Sequence, residues 1–129
     1  MEKVQEVYVV LDNKPGTAGN LCRILKKKGI AIYAIAMFID FARLIVSAPE
    51  KTLNVLKDNG YQAELRQVLK VILPNQKGSL MELTQKLGNA EINIDYLYGS
   101  LQEKQKAGMV ILEVDKPDLA LEIFRNHHF

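Results

Sequence analysis

The sequence predicts an α+β fold made of two ferredoxin-like βαββαβ modules in tandem, with antiparallel sheets, helices on one face, and no last strand in the second module. Three observations lead there. A shift of 62 positions (13 to 75) aligns residues 10–36 with 72–98 without a gap, matching Asn13/Asn75, Gly16/Gly78, Leu21/Leu83, Leu25/Leu87, Ile30/Ile92 and Ile32/Ile94. Within each copy the apolar pattern switches from strand to helix spacing in the order strand, helix, strand, strand, helix, which is the split βαβ plan. Glycine and proline punctuate both copies at matched places.

Each element has its own reason. Residues 7–11 are a continuous, β-branched apolar run, a buried strand. Asp12, Asn13, Lys14, Pro15 and Gly16 form a turn cluster. From 19 to 28 a helix places Leu21, Ile24 and Leu25 on one face, and Gly29 closes it. Strands follow at 30–39 and 43–48, then a helix opening on Pro49 and stopping at Asn59-Gly60, then a strand at 61–66. The second copy repeats this as strand 68–73, helix 79–88, strands 92–101 and 109–114, and helix 117–126. The module boundaries are therefore 1–67 and 68–129. After the longer second hairpin the register resumes at a shift of 68 (53 to 121), where Tyr61 faces Phe129, the last residue. With its fourth strand missing, the second module should show an open edge beside 68–73, covered by 61–66 or by a partner chain. Simple alternation also puts apolar side chains on both faces of 30–39, which predicts a second packing surface there, a dimer mate or another sheet.

Composition narrows the function. With 48% apolar and 25% charged residues the chain is an ordinary globular protein. A net charge of +2 gives no electrostatic ground for a nucleic-acid or membrane partner. A single cysteine, Cys22, excludes an internal disulfide, and the N-terminus carries no signal-peptide pattern, so the expected compartment is the reducing cytoplasm. No apolar run approaches membrane-spanning length. No nucleophile–base pair, catalytic carboxylate pair or phosphate-binding glycine loop is present, so neither catalysis nor a cofactor is expected.

The informative motif is Asn13-Lys14-Pro15-Gly16 ahead of a helix, followed by Gly29-Ile30-Ala31-Ile32; the second copy has Asn75-Gln76-Lys77-Gly78 with Glu91-Ile92-Asn93-Ile94. This resembles the ACT domain, in which an Asn-x-Pro-Gly turn leads into a helix and a Gly-Ile-Asn-Ile strand follows. The first copy departs at Ala31, where the pattern has asparagine, and the second at Lys77, where it has proline. The resemblance implies an amino acid or similar small ligand, a homodimer, and an enzyme or transcription factor as regulated partner. It implies a ligand held between modules by the loop asparagine of one and the strand asparagine of the other. Carried onto this chain, Asn13 and Asn93 form the one complete site, and Asn75 lacks its counterpart because Ala31 stands there. Asp12, Pro15, Gly16 and Gly78 complete the candidate set. The chemistry is direct: a helix start offers unpaired amides and partial positive charge to a carboxylate, and an asparagine can both donate and accept.

Plainer explanations exist for each residue. Asn13 and Asn75 suit turns without any ligand, and Gly16 and Gly78 suit backbone geometry. Asn93 is harder to explain in a strand. Tyr33, Tyr96 and Tyr98 read as sheet packing, 26–28 as a solvated lysine-rich helix end, and Cys22 as a buried thiol. His127 and His128 have no further metal ligand near them in sequence. An RNA-binding version of the same plan needs aromatic residues on its third strand, and 42–47 and 108–113 contain none. An interaction-only regulatory subunit with a vestigial site is the alternative function.

Overall fold

A computed structural model describes residues 1–126. Its elements are β1 (Glu2–Val10), α1 (Thr17–Lys27), β2 (Ile32–Met37), β3 (Phe41–Val46), α2 (Pro49–Asp58), β4 (Ala63–Pro74), α3 (Ser79–Asn89), β5 (Ile94–Ser100), β6 (Ala107–Val114) and α4 (Pro117–Ile123). Phe129 and the His127–His128 pair lie outside the described residues. The chain divides into two compact units, Gln5–Arg66 and Met1–Val4 with the residues from Gln67 onward, and it passes between them inside β1 and inside β4.

The unit Gln5–Arg66 has strand order β2-β3-β1-β4. Val7 pairs with Leu44 across the antiparallel β1/β3 ladder. Its core joins Val7, Val9, Leu44 and Val46 to Leu21 and Leu25 of α1 and Val55 and Leu56 of α2. Leu21, Leu25 and Leu56 are fully buried, each stabilising the unit by roughly 1.5–3 kcal/mol through the area removed from water. The C-terminus of α1 is a Schellman motif: Ile30 N–H bonds to Leu25 O at 3.0 Å, Gly29 N–H to Lys26 O at 3.0 Å, and Gly29 takes φ +71. Gly60 closes α2 in the same way, at φ +84.

The second unit has strand order β5-β6-β4-β1. Its core gathers Leu69, Val71, Leu73, Leu83, Leu87, Val110, Leu112 and Phe124. The place of the missing fourth strand is taken by the N-terminal residues: Met1 packs against this core, Lys3 Nζ bonds Asp118 Oδ1 at 2.5 Å, and Glu2 Oε1 lies 3.8 Å from Lys70 Nζ. The expectation that 61–66 or a partner would cover that edge is therefore corrected. Residues 2–6 alternate in polarity too weakly to read as a strand beforehand.

Other expectations change as well. Strands 61–66 and 68–73 are one strand, because Arg66-Gln67 contains no residue that breaks one. The last helix ends at Ile123 rather than 126. Strict alternation along β2 fails because the register shifts between Ile32 and Ala34; such a bulge turns the following side chains to the opposite face. Ile35 and Met37 consequently stand beside Leu44 and Ala42, with Ala34 and Ala36 beside Ile45 and Arg43. Tyr33 is exposed rather than packed in the sheet. Cys22 is exposed, not buried, since Leu21 and Leu25 define the inward face of α1. β3 begins two residues earlier than expected, on an aromatic, Phe41; its ring is stacked on Phe38, centroids 4.7 Å apart, and lies 5.2 Å from Tyr8.

Candidate functional site

The turn between β1 and α1 is built to present backbone amides. Gly16 caps the helix at φ 90, ψ −14, a left-handed conformation that suits glycine and aims the chain sharply into the first turn. No side chain caps α1, and no acidic residue lies in its first turn. A helix start without such partners keeps its partial positive charge available. Above it opens a cleft of about 710 Å³, lined by Asp12, Lys14, Gly16, Asn20, Tyr61 and Gln62 among others. Asn20 Nδ2 reaches Tyr61 Oη at 3.4 Å, and Arg23 donates to the Asn20 carboxamide oxygen. Asp12 is loosely paired with Lys14, 3.9 Å apart, both largely exposed. Positive charge from the helix and a carboxylate on Asp12 thus sit in one polar cleft, the pattern a small zwitterion needs.

The second copy uses the same turn differently. Gly78 caps α3 at φ 92, ψ −9, but Glu82 stands in the first turn, where a carboxylate already complements the dipole. A smaller cleft of about 490 Å³ lies there, lined by Lys77, Gly78, Glu82 and Lys86 among others. Asn75 is committed to structure: Nδ2 donates to the carbonyls of Gln102 and Gln105, and its backbone N–H to Lys106 O at 2.9 Å. It staples the β5–β6 hairpin.

The predicted residues are thus distributed unevenly. Asp12, Pro15 and Gly16 line the larger cleft. Asn13 is exposed on the same turn and is not among the lining residues. Asn93 belongs to the other unit; its Nδ2 donates to Asp95 Oδ1 at 3.0 Å, and its N–H to Asp115 Oδ1 at 2.9 Å. The first copy makes the matching backbone bond, Ala31 N–H to Ser47 Oγ at 2.9 Å. Sequence reasoning missed the α2–β4 side of the cleft, because Asn59 and Gly60 were legible only as a helix stop. Among the described residues no group of three or more His, Cys, Asp or Glu is arranged to hold a metal. No helix there is long and apolar enough to cross a membrane.

Residues 2–129 match the sequence family described as the ACT domain pair. A protein from Bacteroides thetaiotaomicron superposes with TM-score 0.86 at 26% identity, over 96% of this chain and 88% of its own. The ligand-free regulatory subunit of aspartate kinase from Thermus thermophilus gives TM-score 0.67 at 16% identity, over 100% of this chain and 99% of its own. Aspartokinase III from E. coli, in complex with lysine and aspartate, gives 0.63 at 11% identity, over 99% of this chain and 32% of its own. At those two identities the likeness is one of fold. No curated protein matches the chain in sequence.

Proposed function

The chain belongs to the ACT domain pair family, and on that premise we propose that it is a regulatory protein, not an enzyme, that binds an amino acid at the β1–α1 turn of the unit Gln5–Arg66. The observation that carries the proposal is the start of α1: a glycine cap, no side-chain cap and no first-turn acid, facing a polar cleft. The α-carboxylate takes the free amides of the first turn. The α-ammonium goes to Asp12, and the carboxamides of Asn13 and Asn20 read the remaining donors and acceptors. The start of α3 is the weaker candidate, because Glu82 repels a carboxylate there and Asn75 is spent on the hairpin.

Binding regulates only if the ligand prefers one state of the protein over another. We infer that this preference alters contact with an enzyme or transcription factor in the cytoplasm. Lysine and aspartate head the ligands to try, since aspartokinase III was solved with both. A thermal-shift screen against the twenty amino acids tests the proposal. A ligand at about a hundred times its Kd adds roughly 2.7 kcal/mol of stability, so a sensor shows a clear rise in Tm for one or a few members. A flat response across the panel contradicts it and favours an interaction-only regulatory subunit.

A further inference from the structure

The sheet face of the second unit that carries no helices holds a carboxylate with one oxygen that its described neighbours leave unanswered. Glu113 lies on β6, partly buried, and its Oε2 is a buried side-chain oxygen without a hydrogen-bond partner among the described residues. The β5/β6 register sets Tyr96 directly opposite Glu113 and Tyr98 opposite Ile111, so both rings share its face. The two rings stack, centroids 6.3 Å apart and planes within 11°. Lys70, opposite Ile111 on the same face, turns its ammonium to Glu2 at 3.8 Å instead.

The first copy shows that the fold does not need these residues. At the matching ladder positions it pairs Ala34 with Ile45, where the second copy pairs Tyr96 with Glu113, and it has Ala36 where the second has Tyr98. Small and aliphatic side chains suffice to build this sheet. A carboxylate and two aromatic rings therefore stand where packing alone is met without them, and a shielded acceptor without a donor opposes folding.

We propose that Glu113, Tyr96 and Tyr98 form a second binding site, for an organic cation carrying a primary ammonium or guanidinium group. An N–H of the cation donates to Glu113 Oε2 as a charge-assisted bond, and the charge rests against the negative faces of the rings. A neutral donor meets the hydrogen bond but leaves the carboxylate charge uncompensated.

The test is a titration of the full chain, followed by backbone amide NMR, with cadaverine and agmatine. Neither has a carboxylate, so the start of α1 plays no part. Expected are saturable shifts centred on residues 96–98 and 111–113, lost with the neutral isostere 1,5-pentanediol. In Glu113→Gln the affinity falls roughly tenfold or more, while Asn13→Ala leaves it unchanged. The spectra report whether the variant is folded, and the pentanediol comparison needs no variant. No saturable shift with either cation means that solvent alone satisfies the carboxylate, which overturns the proposal. Equal binding by Glu113→Gln, or by pentanediol, overturns it too.

Discussion

Replacing Asn20 by glutamate gives α1 the first-turn charge that α3 already carries, because Asn20 and Glu82 occupy the same position of the repeat (a shift of 62). Two effects follow, of opposite sign. The new carboxylate complements the helix dipole, worth about 0.3–1 kcal/mol, and lies three residues before Arg23, worth a further ~0.2–0.5 kcal/mol. Against this stand the loss of the long Asn20–Tyr61 bond, 3.4 Å, and of the Arg23 bond to the Asn20 carboxamide that the ion pair replaces, together about 1 kcal/mol. The net lies within roughly 0.5 kcal/mol of zero, so Tm moves by no more than about 3 °C. For a bound α-carboxylate roughly 6 Å away, the repulsion is about 0.7 kcal/mol in bulk water and about 2.8 kcal/mol at an effective dielectric of 20. A penalty of ~1–2 kcal/mol weakens binding about five- to thirtyfold. Calorimetric titration with whichever amino acid the thermal panel identifies measures this directly. Asn20→Gln, neutral and of similar reach, serves as the control and stays within about threefold of the wild type. Unchanged or tighter binding by Asn20→Glu would refute the assignment of the carboxylate to the start of α1.

Other positions give sharp expectations. Glu91 holds the left-handed position at the end of α3, φ 57, that Gly29 holds after α1. Glu91→Gly removes ~1–2 kcal/mol of backbone strain and returns ~0.5–1 kcal/mol of unfolded-chain entropy, so denaturant melts should show a gain of about 0.5–1 kcal/mol. Asn75→Ala removes both staples on the β5–β6 hairpin and costs about 1–2 kcal/mol, with faster amide exchange at 102–106 and no change in amino-acid affinity. Deleting residues 1–4 uncovers the β4 edge and removes the Lys3–Asp118 pair; amides of 67–70 should lose exchange protection while those of β3 keep theirs.

The fold was legible where local rules act alone. Leu21 and Leu25 on one helical face, the glycine stops at 29 and 60, and the two-copy repeat all appear where the chain says they will. What stayed hidden depends on partners distant in sequence. The strand β1 begins at Glu2, and its buried Glu6 is paired with Arg43, whose Nη1 stands 3.0 Å from Oε1. The bulge after Ile32 leaves no mark in an unbroken apolar run, yet it decides which face Ile35 and Met37 occupy. At the site, the glycine cap and Asp12 were legible as turn chemistry, but Asn20, Tyr61 and Gln62 enter the cleft through helix phase and the α2–β4 turn. The hairpin staple that occupies Asn75 left no mark in the sequence, because its acceptors, the carbonyls of Gln102 and Gln105, lie some thirty residues on in the β5–β6 loop.

The central claim is that the start of α1, and not that of α3, receives an amino-acid carboxylate. Backbone amide NMR of the full chain, titrated with the amino acid that raises its Tm, tests this most directly. The amides of Ala18 and Gly19 should shift strongly and gain exchange protection, those of Leu80 and Met81 should stay in place, and the carboxamide derivative of the same amino acid should leave all four unmoved. Shifts centred on Leu80 and Met81, or an equal response to the derivative, would contradict it.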